Sequence, residues 1–408
     1  MNKFKEKLIR MISVEEAQNI ILKFSKTGGK ESIAFENCLN RMLAEGVFAD
    51  RDAPPFDRVA MDGIAIQSQQ LLKQQRFFIE EIQAAGQEQK TLKNPENCIE
   101  VMTGAVLPHN TDCVIPYEKI TINNGVAELA STDHSLFQNI HKQGVDAKKG
   151  DQLLPSGTWI HPGVKGVLAT TGLTKIKVLK SPQIMICSTG DELVPIEDQP
   201  LPHQIRRSNV YMIQAALKDL NIEAKTTHLP DDKAKLKSAI KELLTDYDVL
   251  LFSGAVSKGK YDFLPVVFQE LGVQIHIHGV KQKPGKPFLF GTHGKNFVFG
   301  FPGNPTSTLV CFHAYFKLWL KQHLGIKDTA TYGHLNKDIV FNKPLTNHLL
   351  VKTSTEDGKL LANPIANSGS GDWVHLALAD AFLSLPSDQT EFKKGEIFPI
   401  TFLHRNSF

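Results

Sequence analysis

The stretch VLLFSGAVSKGKYDF, residues 249–263, sets an apolar run, Val249-Leu250-Leu251-Phe252, against a turn of small residues and then a row of charge. Ser257, Lys258, Lys260 and Asp262 follow the turn, so bare amides, two cations and a carboxylate gather past one strand end. Other segments have the same form. STGDEL offers Asp191 and Glu192, LPDD offers Asp231 and Asp232, and FPGNPTS offers Asn304 before a helix start at Thr306-Ser307. KQKPGKP adds Lys281, Lys283 and Lys286, the last two joined by a stiff turn. Glycine turns let amides approach an anion closely, and a helix N-terminus adds its dipole. Carboxylates beside an anion repel it unless a Mg²⁺ bridges the two. Together these residue types describe a site for a phosphorylated or oxyanionic small molecule with Mg²⁺.

Each segment alone also has a plain structural reading. A glycine turn after a strand is most often a connection, and Asp231 or Asp232 equally suits the cap of the next helix. Lys281 reads as a solvated strand residue. His276 and His278 lie on one strand face, and without a third ligand they read as a polar face, not a metal site. Four polar strand ends within one block argue against coincidence. Neither a G-x-S-x-G elbow nor a complete P-loop is present.

The elements that must position these groups follow from periodicity. Ser13 and Glu16 have capping-box spacing ahead of a stripe of Ala17, Ile20, Ile21 and Phe24, which predicts the first helix. Residues 52–145 carry short extended runs punctuated by turn residues and read as a small β-rich unit. GVKGVLATTG is a short helix. From about residue 182 strands and helices alternate, predicting a parallel sheet with right-handed crossovers. In such sheets ligands bind beyond the carboxyl ends of the strands, where the polar clusters fall. VPIEDQPLPHQ is a long loop inside this block, and such loops are often functional. After Gly325 short strands return, predicting a C-terminal β domain.

Composition bounds the function. A chain of 408 residues exceeds one compact core and predicts two to four domains. With 46 basic and 43 acidic residues the charge is nearly balanced, which argues against nucleic acid as a partner and leaves room for a small anion. The five cysteines, Cys38, Cys98, Cys113, Cys187 and Cys311, are scattered without a C-x-x-C pair and read as reduced thiols of a cytoplasmic protein. The N-terminal segment has no apolar signal core, and no run approaches a membrane span.

Read in order, these motifs resemble the MoeA family of molybdopterin molybdenumtransferases, related to the gephyrin E domain. PPFDRVAMDGIAI is similar to P-x-F-D-x-S-A-M-D-G-[YF]-A, and VMTGAVLPHNTDCVIPYE to M-T-G-A-x-L-P-x-G-A-D-[AT]-V-V-x-x-E. QGVDAKKGDQLLPSGTWIHPGVKGVLATTG resembles the R-x-G-E-D block, ICSTGDELV the S-T-G-[DN]-E-L block, and SGAVSKGKYDF the S-G-G-V-S-x-G-x-x-D-[YF] block. QKPGKPFLFG, GFPGNPTSTLVCF and SGSGDWVHLALADAFLSLP resemble the remaining three motifs, so the match covers nearly the whole chain.

The resemblance implies an elongated homodimer with the cleft between subunits. It also implies a fold of α/β plus β domains. Residues 1–51 with 146–181 would form a discontinuous N-terminal linker domain and 52–145 a β-rich insertion. Residues 182–327 would form a MogA-like α/β molybdopterin-binding domain, and 328–408 a β-barrel-like C-terminal domain. The implied activity is insertion of molybdate into adenylylated molybdopterin with Mg²⁺-dependent release of AMP, the last step of molybdenum cofactor synthesis. By position it assigns catalytic roles to Asp62, Thr103, Glu192, Asp231, Asp262, Lys283 and Lys286, with Glu192, Asp231 and Asp262 holding the metal. Lys283 and Lys286 are the first choice for molybdate. Asp146, Ser257, Lys258, Lys260, Pro302, Asn304, Pro305 and Ser370 are assigned to substrate, and Asp62 and Thr103 are expected to act across the dimer interface. Contacts with a MogA-like adenylyltransferase and with recipient molybdoenzymes are also implied.

The chain departs from the family pattern at Ala255, Val145, Arg58-Val59 and Gly279, while Lys258 and Lys260 are more basic than usual and read as compensation for the lysine absent at Gly279. Two other readings stand beside the transferase: a MogA-like adenylyltransferase, which has neither the N-terminal half nor the C-terminal β domain, and a non-catalytic scaffold, which the retained acids disfavour.

Overall fold

A computed structural model describes residues 11–254, 256, 262–327, 329–366 and 369–404. Ala255, Ser257, Lys258 and Lys260, singled out above, lie outside the described residues. The chain divides into two compact units, one of residues 34–39 and 43–176, the other of the remaining described residues.

In the first unit a six-stranded sheet is built from β1 (Gly63–Ile66), β2 (Arg76–Gln83), β3 (Cys98–Val101), β4 (Cys113–Pro116), β5 (Ile120–Asn123) and β6 (Val126–Leu129), in the order β4-β1-β3-β2-β6-β5. Both faces are covered. Ile64, Ile66, Phe77, Cys98, Cys113 and Ile115 form one apolar layer, and Ala65, Ile99, Val101 and Val114 join a second with Val59 and Leu107. Burial on both sides is why Gly63–Ile66 reads as a continuous apolar run instead of alternating.

The second unit begins with α1 (Val14–Phe24), where Ser13 Oγ accepts the Glu16 amide at 3.0 Å and Ala17 and Ile21 are buried. Its α/β sheet holds β7 (Ile184–Thr189), β8 (Ala224–Leu229), β9 (Val249–Ser253), β10 (Gln274–His278), then, beyond β11 (Gln282–Lys283), β12 (Leu289–His293) and β13 (Asn296–Phe301). The order is β8-β7-β9-β13-β12-β10. The first four strands are parallel, as alternation predicted, but β12 returns antiparallel to β13 and β10 antiparallel to β12. The cause is the connection at Gly294-Lys295, too short for a crossover helix, which forces a hairpin. Helices α3 (Asn209–Lys218), α4 (Lys233–Asp246) and α5 (Leu264–Glu270) cover the sheet, as do α6 (Pro305–Cys311) and α7 (Lys317–His323), which are joined through a π-helical turn at Phe312–Phe316. In the first unit GVKGVLATTG forms the short helix α2 (Pro162–Thr170), as its sequence predicted. Ile184, Ile186, Leu251 and Phe299 pack toward α1, α3 and α7; Cys187, Leu250 and Phe252 pack toward α4 and α5.

The C-terminal strands close on themselves. Strand β14 (Thr331–Leu335) lies between β16 (Lys359–Pro364) and β18 (Ile397–Phe402). The eleven-residue β15 (Thr346–Glu356) pairs with β17 (Ala381–Leu385) through its first half and with β16 through its second. With β17 against β18 this makes a closed five-stranded barrel, filled by Leu335, Val351, Ala362, Leu383, Phe398 and Ile400. Strand β11 adds to β15 in parallel, tying the KPGK turn to the barrel.

Candidate active site

Register decides where the polar clusters meet. Thr189 of β7 pairs with Leu229 of β8, Ser188 with Ser253 of β9, and Ser253 with Phe301 of β13, so all four parallel strands stop in one row. Beyond that row a cavity of about 1340 Å³ is lined by Thr189, Glu192, Asp231, Asp262, Pro302, Asn304 and Pro305, among others. Four segments separated by tens of residues thus reach one opening because adjacent strands are only about 4.8 Å apart.

Local chemistry aims these groups. Gly254 has φ +102, and a Cβ there would lie 3.0 Å from the Thr189 carbonyl oxygen, so only glycine lets β9 turn beside β7. Asp232 caps α4, its carboxylate accepting the Lys235 amide at 2.8 Å, which leaves Asp231 for the cavity. The Asp231 amide in turn donates to Asp191 Oδ1 at 3.1 Å. Asn209, at the start of α3, donates to Ser253 Oγ at 2.9 Å and to the Gly303 carbonyl at 2.6 Å, joining α3 to two strand ends. From the barrel side, Ser370 Oγ accepts from Asn304 Nδ2 at 2.8 Å and its carbonyl accepts the Thr306 amide at 3.2 Å. The segment after Ser370 brings Trp373 and Leu376 into the cavity wall.

The cavity lining carries both signs of charge. Burial raises the Asp231 carboxyl above its ordinary value, and Asp191, Glu192 and Asp262 push it in the same direction. Among the described residues no three His, Cys, Asp or Glu converge closely enough to form a metal cluster, so Glu192, Asp231 and Asp262 share a cavity without forming a closed cage. They issue from three separate strand ends, and that spacing holds them apart. On the opposite charge side, Arg206 and Arg207 line the cavity, and Arg207 joins burial in lowering His228, whose Nδ1 lies 3.0 Å from Ser188 Oγ. Four buried polar atoms on the lining, Thr189 Oγ1, Arg207 Nε, Asn209 Oδ1 and Asp231 Oδ1, have no hydrogen-bond partner among the described residues. Protein interiors rarely leave such groups unmet, so a polar ligand is their natural partner.

Not every expected residue reaches this cavity. Lys283 and Lys286 are exposed and are not part of its lining, although Pro287, one residue on, is. Lys283 instead holds its ammonium 5.7 Å from the Phe341 ring. In the other unit Asp62 and Thr103, 41 residues apart in sequence, do meet: the Thr103 amide donates to Asp62 Oδ1 at 2.6 Å. That bond, with one from the Thr103 side chain, holds the Asp62 carboxyl below its ordinary value. Asp146 lies 3.2 Å from His141 Nε2, whose Nδ1 is 3.1 Å from the Arg58 guanidinium. Arg206, Arg207, Asn209 and Trp373 escaped the sequence reading. The signal was present in RRSN, an arginine pair directly before a helix start. His276 and His278 behave as a polar face: His276 Nε2 lies 2.7 Å from Thr292 Oγ1 and His278 Nε2 3.1 Å from the Val256 carbonyl.

Three family models match in chain order: the MoeA N-terminal region (domains I and II) over residues 12–172, a probable molybdopterin binding domain over 185–322, and the MoeA C-terminal region (domain IV) over 332–403. A molybdopterin molybdenumtransferase of a Synechocystis species is 40% identical over 395 residues, covering 95% of this chain and 99% of that protein. One from Bacillus subtilis is 32% identical, covering 97% and 95%. Among solved structures, a molybdopterin biosynthesis MoeA protein from Pyrococcus horikosii superposes with a TM-score of 0.81 at 29% identity, covering 97% of this chain and 99% of that one.

Proposed function

Because this chain belongs to the MoeA family, we propose that its strand-end cavity carries out the molybdopterin molybdenumtransferase reaction, transferring molybdate to the dithiolene of adenylylated molybdopterin with release of AMP. The observation that supports this placement is the convergence of the four unpartnered buried polar atoms with Glu192 and Asp262 on one cavity. A ligand carrying phosphate and heterocycle satisfies both the polar floor and the apolar wall of Val210, Met212, Leu309, Trp373 and Leu376.

The oxygen donors fit Mg²⁺. That ion takes one or two carboxylates and completes its shell with water and substrate phosphate, so an open set suits it better than a closed cage. Asp231, whose Oδ1 is buried and unpartnered and whose ionisation its acidic neighbours oppose, is the first ligand, with Glu192 or Asp262 beside it. When bound, Mg²⁺ would neutralise charge on the departing phosphate. The protein's own part is to hold and orient: Asn209 and Asn304 fix the strand-end turns, and Ser370 fastens the barrel segment over them. By resemblance Lys283 and Lys286 contact molybdate, Asp62 and Thr103 contact substrate, and Asp146, Ser257, Lys258 and Lys260 assist binding. The four-part domain division, a homodimer, a cytoplasmic location and transfer from an adenylyltransferase to recipient molybdoenzymes belong to the same proposal. No described helix is long and apolar enough to cross a membrane.

The test is AMP release from adenylylated molybdopterin with Mg²⁺, with and without molybdate, beside Asp262→Ala. Molybdate-dependent release that falls at least about a hundredfold in the variant is expected. Tight pterin binding with no release in the parent protein would replace the transferase with a carrier.

A further inference from the structure

We propose that Arg207 is the anion-holding residue of the cavity, its guanidinium taking a tetrahedral oxyanion of the ligand, whether the nucleotide's phosphoryl group or molybdate. The inference rests on the functional reading above and names a residue that reading did not use.

Arg207 and its neighbour form a natural contrast. Arg206 is exposed and already satisfied, donating through Nε to the Asp198 carbonyl at 3.1 Å. Arg207 is partly buried, its Nε is wholly enclosed, and that atom finds no hydrogen-bond partner among the described residues. Glu192, Asp231 and Asp262 line the same cavity. An enclosed guanidinium N–H without an acceptor is costly, and the planar fork matches the edge of a phosphate or molybdate. Burial and then Asp191, Glu192 and Asp262 raise the Asp231 carboxyl. Burial and then Arg207 lower His228, where Asp191 and Glu192 oppose them.

A second, independent observation points to the same place. Thr189, only 3% exposed, lines the cavity with an unpartnered Oγ1. Ser208 occupies the cap position of the ten-residue α3 without a side-chain cap bond, so the positive end of that helix adds to the arginine's field. Arg207, Thr189 and the start of α3 therefore bring donors to the same cavity as the carboxylates. A phosphate with its cation, or a molybdate next to one, meets both kinds of group.

Calorimetric titration of the full chain with sodium molybdate and, separately, with AMP and Mg²⁺ tests this, using Arg207→Met and Arg207→Lys. The methionine variant should weaken at least one of the two anions by about tenfold or more, the lysine variant by less, and the anion affected identifies the source. Affinity within twofold for both anions in both variants would overturn the proposal. Arg207-dependent anion binding without AMP release in the parent would sink the transferase and leave this inference standing. Unchanged KM for molybdate and for adenylylated pterin in Arg207→Met would overturn this inference alone.

Discussion

At the scale of single residues the cavity is defined by ionisation that the fold resists. Asp231 is raised first by burial and then by its acidic neighbours, so the folded protein holds that proton more tightly than the unfolded chain does. For a raised carboxyl, stability is lost as pH climbs from the ordinary 3.8 through the folded value and stays lost at neutral pH. Asp231→Asn escapes that loss, and ligand-free protein should melt higher at pH 7, the gain vanishing below about pH 4. Mg²⁺ should raise the melting temperature of the parent and leave the variant unmoved. A variant that melts lower at pH 7 would mean that Asp231 has a structural bond in place of a ligand-facing role. Part of the geometry was legible beforehand: STGDEL, LPDD and FPGNP singled out Glu192, Asp231 and Asn304, which line one cavity. Whether Asp231 or Asp232 would cap the helix was not legible, since either aspartate suits that role and only the chain's path decides.

At the scale of elements the KPGK turn is pinned by buried contacts. Gln282 is buried on β11 and accepts a short hydrogen bond from the Tyr315 hydroxyl. Its amide donates to the carbonyls of Pro284 at 3.0 Å and Gly285 at 3.2 Å. Gln282→Leu leaves that hydroxyl and those carbonyls unmet and should destabilise by about 2–4 kcal/mol in urea unfolding. Gly285 has φ +88, and a Cβ there would come within 2.5 Å of Cys311 Sγ, so Gly285→Ala should cost about 2–5 kcal/mol. If the turn presents Lys283 and Lys286 to molybdate, surviving Gln282→Leu protein will show a raised KM for molybdate with a smaller change in kcat. Equal KM in parent and variant would remove the turn from the molybdate site. The helices here were readable because they bury one face, and the central parallel strands because burial on both faces makes them short continuous apolar runs. The antiparallel strands β10 and β12 were not, since an edge hairpin and a buried parallel strand have the same apolar signature.

At the scale of the whole molecule, assembly is the open prediction: equilibrium sedimentation should give twice the chain mass, and a monomer at micromolar concentration would overturn the homodimer. The eight motifs in family order determined by themselves the family and the reaction class, because chemistry needs particular residue types and their order along the chain survives folding. Folding alone decided which of them meet. Strand register brought Thr189, Glu192, Asp231, Asp262 and Asn304 to one opening, closed the barrel through β15, and recruited Arg207, Asn209 and Trp373. It also kept Lys283 and Lys286 off that lining. Residue type and spacing are local quantities written in the chain; the partner of a buried guanidinium or carboxylate depends on distances between segments, which only packing sets.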